Sequence, residues 1–511
     1  MRPGATVRRT TISVALGTEN PLTVSQCPLE ARIGENDMDA KATGHIPARQ
    51  IATFSAGAMP VGALVTTLGV YLPPYYASHV GISLAVVGIS FTVIRFLDIL
   101  FDPVLGIAID HTHTPFGQFR PWLAAAAPIL IVASIAIYFP PSGVGSIYLI
   151  GWLLVLYAGY SMLTLSQAGW GAALVAEYHQ RSRVYGWIQA VAVVGALGVL
   201  IVPLVLPPLW HEVPFKGVPL MGCVVLAAIV IGACITVFLA PEPHSAAKTE
   251  RFGFRDYLPL LKRPELLRLM CADLFCTLGP AITGPLYLFF FQQARGYTPP
   301  QTLYLLIIYV AAGLIGPTAW SFVARRFGKH QTIRISSVCY VVAQSTLLAL
   351  PKAQPLAMSF AMFGVGFVAS SFAFLVRAMI ADVSDQVRLE TGKDRTAMLY
   401  AMVTSTNKIG ATLSVGVAYL ILPLFGFIAK EGAHNTADAI WGLQACYLAP
   451  PVICVLIGGL AMWGYKLDEK RHSEIRIALG ANAAIAGARD AAQSLTGDPP
   501  EPEQGVFVAG Q

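Results

Sequence analysis

Apolar runs punctuate the chain near residues 51–76, 84–109, 121–139, 146–176, 184–206, 219–240, 266–291, 301–324, 332–351, 356–380, 396–428 and 440–466, separated by short polar breaks. Most are at least as long as the roughly 20 residues an α-helix needs to cross the hydrocarbon core of a bilayer. The pattern predicts an all-α membrane protein with twelve spans, numbered 1 to 12 in chain order, and an even number puts both termini on one side. Loop charge chooses the side. With the termini inside, the outward loops carry only Lys216, Arg295, Lys352 and Lys430 of the 34 Lys and Arg residues. The expected location is a bacterial-type inner (plasma) membrane, multi-pass, with both termini cytoplasmic.

The longest internal polar break, 241–265, is basic and Pro-bearing and divides the spans six and six. The expected organisation is an N-terminal tail (1–48), a six-helix bundle (49–240), a cytoplasmic central loop (241–265), a second six-helix bundle (266–466) and a cytoplasmic C-terminal tail (467–511). PFGQFRPW after span 2 and RRFGKHQTIR after span 8 each place Phe-Gly before basic residues, the mark of an internal repeat. Two six-span halves around a central loop describe the major facilitator fold, in which the substrate site lies between the halves near the bilayer midplane.

Composition agrees and narrows the function. At 55% hydrophobic, 12% charged and mean hydropathy +0.62 over 511 residues, the chain leaves no room for a catalytic domain outside the membrane. The net charge of +6 is dispersed over short loops without aromatic-rich basic motifs, so no nucleic-acid partner is expected. Eight cysteines lie mostly in apolar runs and form no C-x-x-C pair, which points to packing and not to disulfides or a metal. Residues 1–48 lack an apolar core with a small-residue cleavage site and are expected to be a disordered tail, with Met38 an alternative start.

Chemistry concentrates in span 2, LAVVGISFTVIRFLDILFDPVLGIAI, where Arg95, Asp98 and Asp102 lie near the middle of an otherwise lipid-like segment. Each such charge costs about 2.5–3.5 kcal/mol to insert, so it marks a functional position. At 100° per residue the three fall within roughly a 60° arc and face one way. Pro103 donates no backbone hydrogen bond and frees the Ile99 carbonyl between the two acids. Two carboxylates and a carbonyl suit Na+ or a proton. Alternatively, Arg95 and Asp98 form a structural pair. Span 11 carries a hydroxyl- and amide-rich stretch from Thr404 to Asn407, then Lys408, at the same depth as Asp98, roughly 16–18 Å from the cytoplasmic end. That depth allows a charge pair across the bundles. Asp273 early in span 7 is a further candidate inside the membrane, or alternatively an interfacial acid near Arg268, and Arg377 reads as a snorkelling cation.

RFLDILFDPVLGIAIDHTHTPFGQFRPW resembles the span 2 to span 3 signature of the glycoside-pentoside-hexuronide:cation symporters of the major facilitator superfamily, typified by the melibiose permease. ADVSDQVRLETGKDRTAMLYAMVTSTNKIGATL resembles that family's passage from span 10 into span 11, and ALVAEYHQRSRVYGWIQA its span 4 to span 5 junction. The resemblance implies Na+- or H+-coupled symport of a sugar or glycoside-type solute. It places Asp98 and Asp102 in the cation positions, with Arg95 and Lys408 beside them. It also assigns Arg120, Asp382, Asp385 and Arg395 to a cytoplasmic gate.

The sequence departs from the family where the sugar is gripped. Acids in spans 1 and 4 and an arginine in span 5 are replaced by Gly62, Gln167 and Gln189. Candidate substrate contacts are Gln167, Trp170, Gln189 and Asn407, with Trp170 able to stack on a sugar or to act as a packing aromatic. Without the acids, an amphiphilic, lysolipid-like solute is an alternative cargo, and a non-transporting receptor a more distant one. No enzyme is expected: the histidines sit in tails and loops, and His111-Thr-His113 lacks further ligands. The expected partners are a small-molecule substrate and the bilayer, with the chain acting as a monomer. No cofactor is implied beyond the coupling ion.

Overall fold

The computed structural model describes residues 47–112, 114–174, 178–209, 217–241, 257–352, 354–393, 395–430 and 433–496. The expected N-terminal tail up to residue 46, most of the central loop, Lys216, His113 and the last residues of the C-terminal tail lie outside these. Among the described residues, eleven helices are long and apolar enough to cross a membrane, and a bent pair makes a twelfth. The pair, Ala48–Ser55 and Ala58–Ser78, is span 1, bent by 41° at Ala56-Gly57. Spans 2 to 6 are Leu84–Asp110, Arg120–Tyr138, Ser146–Leu174, Tyr178–Leu209 and Val218–Leu239. Spans 7 to 12 are Pro264–Phe289, Pro299–Phe327, Lys329–Ala349, Pro355–Thr391, Thr396–Ile421 and Ala437–Ala461. Span 7 runs on through a π-turn to Ala294.

The helix ends follow local chemistry. Ser83 caps span 2 by accepting from the Val86 N–H, and Thr298 with Gln301 forms a capping box on span 8. Both Phe-Gly loops hold their glycine at a positive φ that favours this residue: Gly117 has φ +111° and Gly328 φ +82°. Buried Arg295, beyond span 7, donates to the Leu347 and Leu350 carbonyls that end span 9, and burial pulls its pKa below the ordinary arginine value.

Two elements differ from expectation. Span 10 continues past residue 380 to Thr391, because Val383 and Val387 carry its apolar stripe onward at helical spacing. The stretch read as a C-terminal tail contains a helix, Glu469–Thr496, packed against span 10. Its Ile475, with Leu467 ahead of it, joins a buried cluster that includes Val383, Val387, Met398 and Leu266.

Within the first six spans, span 1 packs on spans 5 and 6, and span 2 on span 4; within the last six, span 7 packs on spans 11 and 12, and span 8 on span 10. The halves meet where span 2 packs on span 11, span 5 on span 8 and span 1 on span 7. Glycine permits the closest approaches. A Cβ at Gly88 would lie 2.9 Å from Tyr419 Cβ, one at Gly416 2.4 Å from Thr92 Oγ1, and one at Gly284 2.8 Å from the Gly69 carbonyl. All three belong to the halves of their spans farther from the chain termini.

Candidate functional site

Asp98 and Asp102 are one turn apart on span 2, and Ser161 of span 4 reaches both. Its hydroxyl contacts Asp98 Oδ1 and lies 2.9 Å from Asp102 Oδ1. From the opposite side, Lys408 of span 11 contacts Asp102 directly and stands 3.9 Å from Asp98 Oδ2. Twelve residues separate Asp98 from the end of span 2 and Lys408 from the start of span 11, about 18 Å at 1.5 Å per residue. The pair therefore sits deep in both helices. Asp98 is buried; Asp102 and Lys408 are partly exposed.

Arg95, one turn before Asp98, turns away from the carboxylates. Its Nε donates to Tyr157 Oη at 2.6 Å, and Nη1 donates to the Ala411 carbonyl of span 11 at 2.7 Å. It thus ties spans 2, 4 and 11 together beside the acids. Ser161 and Tyr157 escaped the sequence reading because uncharged residues stand out little in an apolar run. Their one available signal was an i, i+4 spacing that puts both on one face of span 4.

The seam between spans 2 and 11 is asymmetric about Lys408. Away from the chain termini, the Gly88 and Gly416 approaches bring the helices into contact. Toward the termini, Gly106, one turn beyond Asp102, has nothing within 4 Å of a would-be Cβ, and Ala401, Thr404 and Ser405 on the Lys408 face are exposed. The seam is shut on one side of the charge cluster and open on the other.

The remaining candidates lie apart. Trp170 is fully buried, its Nε1 donating to the Pro241 carbonyl at 3.0 Å, between Phe54 and the Arg120 guanidinium, each 5.7 Å from its ring centroid. Gln167 is buried against the Gly57 bend of span 1, and its Nε2 has no hydrogen-bond partner among the described residues. Gln189 is exposed on span 5. Asn407 turns from the acids toward span 7 and donates to Thr277 Oγ1 at 2.9 Å. Gly62 has a steric reason to be glycine: a Cβ there would lie 1.7 Å from the Ala192 carbonyl of span 5, so no acid fits.

Arg120 donates to the Ala240 carbonyl at 2.8 Å, fastening the end of span 6 to span 3. Asp382 takes Lys329 Nζ at 2.7 Å, and the C-terminal helix adds His472, 3.0 Å from Asp385 and 3.5 Å from Asp382. Arg395 occupies the N-cap position of span 11. These partners all belong to the same half as the residue they hold. Asp273 does not sit at the interface beside Arg268 but is buried and bonded to Thr406, while Arg268 donates to the Trp463 carbonyl.

Residues 53–469 match the family of MFS/sugar transport proteins. The isoprimeverose transporter of Lactiplantibacillus pentosus is 23% identical over 80% of this chain and 85% of its own length. A putative glycoside/cation symporter of Escherichia coli (strain K12) is 24% identical over 78% of this chain and 88% of its own. The lactose permease of Lactobacillus delbrueckii subsp. bulgaricus is 25% identical over 83% and 71%. In fold, the chain matches the nucleoside transporter NupG with a TM-score of 0.60 at 14% identity, covering 82% of this chain and 99% of that one. A bacterial homologue of the lysosomal transporter Spinster, in an inward-facing conformation, gives 0.57. The chain belongs to the MFS/sugar transport protein family: it has the major facilitator fold and is a multi-pass membrane transporter of the glycoside-pentoside-hexuronide:cation symporter type, not an enzyme.

Proposed function

We propose that the protein carries a sugar or glycoside-type solute together with Na+ or H+ by alternating access, and that Asp98, Asp102 and Ser161 receive the coupling ion. The observation that carries this reading is the Asp98–Ser161–Asp102–Lys408 cluster joining spans 2, 4 and 11. Ser161 has one hydroxyl hydrogen and two carboxylate neighbours, so one of its contacts sets lone pair against lone pair unless a positive charge stands by. Lys408 is that charge here. Arg95, Asp98, Asp102 and Lys408 sum to zero, which lets the unloaded carrier reorient without an unbalanced charge at the midplane.

A Na+ or proton entering the cluster takes over the neutralisation, releases Lys408 and loosens the span 2–span 11 seam. Solute binding between the halves then selects the loaded form. The one-sided opening of the seam supports such a cycle, and loop charge makes the open side cytoplasmic, with both termini there. Arg120, Asp382, Asp385 and Arg395 hold the cytoplasmic ends of their own halves rigid as those halves rock. Gln189 and the exposed hydroxyls Thr404 and Ser405 are the proposed solute contacts.

The names of the relatives favour a glycoside. Gly62 favours a second reading, a less polar amphiphilic solute, because span 5 excludes an acid from that position. The test is uptake into proteoliposomes of glycosides, uronides and lysolipids under a Na+ or an H+ gradient applied separately. Asp98→Ala and Asp102→Ala are expected to abolish gradient-driven accumulation with folded protein retained; accumulation that survives both overturns the coupling assignment.

A further inference from the structure

Asp273 lies nine residues into span 7, about 14 Å along the helix, and is 3% exposed. Among the described residues no Lys, Arg or His nitrogen comes within ion-pair distance of it. Its bonded neighbour is Thr406 of span 11, whose Oγ1 is 2.9 Å from Asp273 Oδ2 and 2.7 Å from the Val403 carbonyl. The single Thr406 hydrogen has two acceptors, the Val403 carbonyl and Asp273 Oδ2, so an ionised Asp273 would have to share it. A protonated Asp273 resolves the competition: it supplies a second hydrogen, and both contacts become full hydrogen bonds. Asn407 completes the arrangement: one amide hydrogen goes to Thr277, and the side chain also bonds to the Asp273 carboxyl group.

We propose that Asp273 is a second proton-binding site of this carrier, a carboxylic acid that donates to Thr406 while spans 7 and 11 are packed together. The groups that face it from each packed element are few. Span 10 contributes Arg377, which is exposed and not in ion-pair contact. Span 11 contributes Thr406 and Asn407, with the neighbouring Lys408 engaged by Asp102. Asp273 also faces Cys276 of its own helix, near Cys271 of span 7 and Cys454 of span 12. None of these supplies a contact charge that would hold a carboxylate in so dry a place, where an uncompensated one is expensive.

Losing the proton therefore requires water, and water requires the helices to part. A Cβ at Gly410 would lie 2.9 Å from the Leu274 carbonyl, so spans 7 and 11 meet backbone to backbone beside Asp273. Span 11 also carries Lys408, two residues beyond Thr406. Deprotonation of Asp273 is thereby coupled to movement of the helix that holds the ion-site lysine. The inference stands whichever ion Asp98 and Asp102 take, because it uses neither of them.

The experiment is infrared spectroscopy of the carboxylic-acid carbonyl stretch in the intact carrier, reconstituted at neutral pH, in wild type, Asp273→Asn, Asp98→Asn and Asp102→Asn. The amide of Asp273→Asn can donate to the same Thr406 oxygen, so the fold should persist. Loss of a protonated-carboxyl band in Asp273→Asn, with the band intact in Asp98→Asn and Asp102→Asn, is the expected result. A spectrum unchanged by Asp273→Asn overturns the proposal. Thr406→Val provides a second reading should Asp273→Asn not fold: it removes the acceptor, and the band should shift to higher frequency, whereas an unmoved band again overturns it. Failure of the coupling assignment would appear separately, as accumulation surviving in the Asp98 and Asp102 variants.

Discussion

Lys408→Ala tests whether the charge cluster is a working unit. In the wild type, Lys408 contacts Asp102 and stands 3.9 Å from Asp98, while Arg95 is engaged by Tyr157 and the Ala411 carbonyl. Removing the lysine leaves two carboxylates sharing one hydroxyl hydrogen. Breaking a buried pair from one side costs about 3–5 kcal/mol. Lys408 is 29% exposed and Asp102 17%, so water screens part of this, and about 2–3 kcal/mol remains. Asp102→Asn is milder, about 1 kcal/mol, because the lysine keeps Asp98. The double variant leaves a single carboxylate, Asp98, with the Ser161 hydrogen to itself, so the competition between the two acids is gone. A double-mutant cycle of denaturant unfolding in detergent micelles, at neutral pH and without Na+, should therefore give a coupling energy near 2 kcal/mol. If Na+ is the coupling ion, it should stabilise Lys408→Ala more than wild type, since it fills the vacated positive position. A coupling energy below about 0.5 kcal/mol, the range of independent sites, would refute the cluster as the means of joining the halves.

Trp170→Phe gives up the bond to the Pro241 carbonyl and part of the contact with Arg120, and should lower stability by about 1–2 kcal/mol with solute affinity unchanged; a large affinity loss in a binding assay would place Trp170 in the solute site instead. Gly195→Ala puts a methyl about 2 Å from the Met59 carbonyl, where span 5 meets span 1, and should cost at least about 1–3 kcal/mol by thermal unfolding; a neutral effect would show that these spans are not held this close. Ending the chain at Leu467 removes Ile475 and His472, uncovers the foot of span 10 and leaves Asp385 without its histidine, so the truncated carrier should melt at lower temperature and transport more slowly in vesicles; an unchanged melting curve would show that the C-terminal helix does not dock.

The parts of this molecule that were legible in the sequence are those whose energies are large and local. A run of apolar residues long enough for a bilayer has few alternatives to a helix, and a carboxylate in the middle of one announces itself by its insertion cost. Equal depth along spans 2 and 11 was enough to bring Lys408 toward Asp98 and Asp102. Position around a helix, in contrast, is set by packing that no single span encodes. Ser161 and Asn407 are ordinary polar residues in their own sequences, and only the rotation of spans 4 and 11 turns one toward the acids and the other toward span 7. The interfacial alternative for Asp273 fails for the same reason: Arg268 lies about one and a half turns back on a different face and goes to Trp463. The Glu469–Thr496 helix escaped because its apolar residues are too few to stand out until span 10 extends beneath them.

Gly62 shows how packing bears on function. In the sequence it marks only the absence of an acid where the family carries one, and so reads as a loss of sugar recognition. In the fold, spans 1 and 5 approach until no side chain fits between them, so the position belongs to helix packing and is closed to any ligand. The solute contacts proposed above lie elsewhere, at positions that remain exposed: Gln189 on span 5, and Thr404 and Ser405 one turn from Lys408 on span 11. Hydroxyls and an amide in that position can bind a solute through neutral hydrogen bonds. On the proposed cycle, Asp98 and Asp102 then answer to the coupling ion and not to the solute.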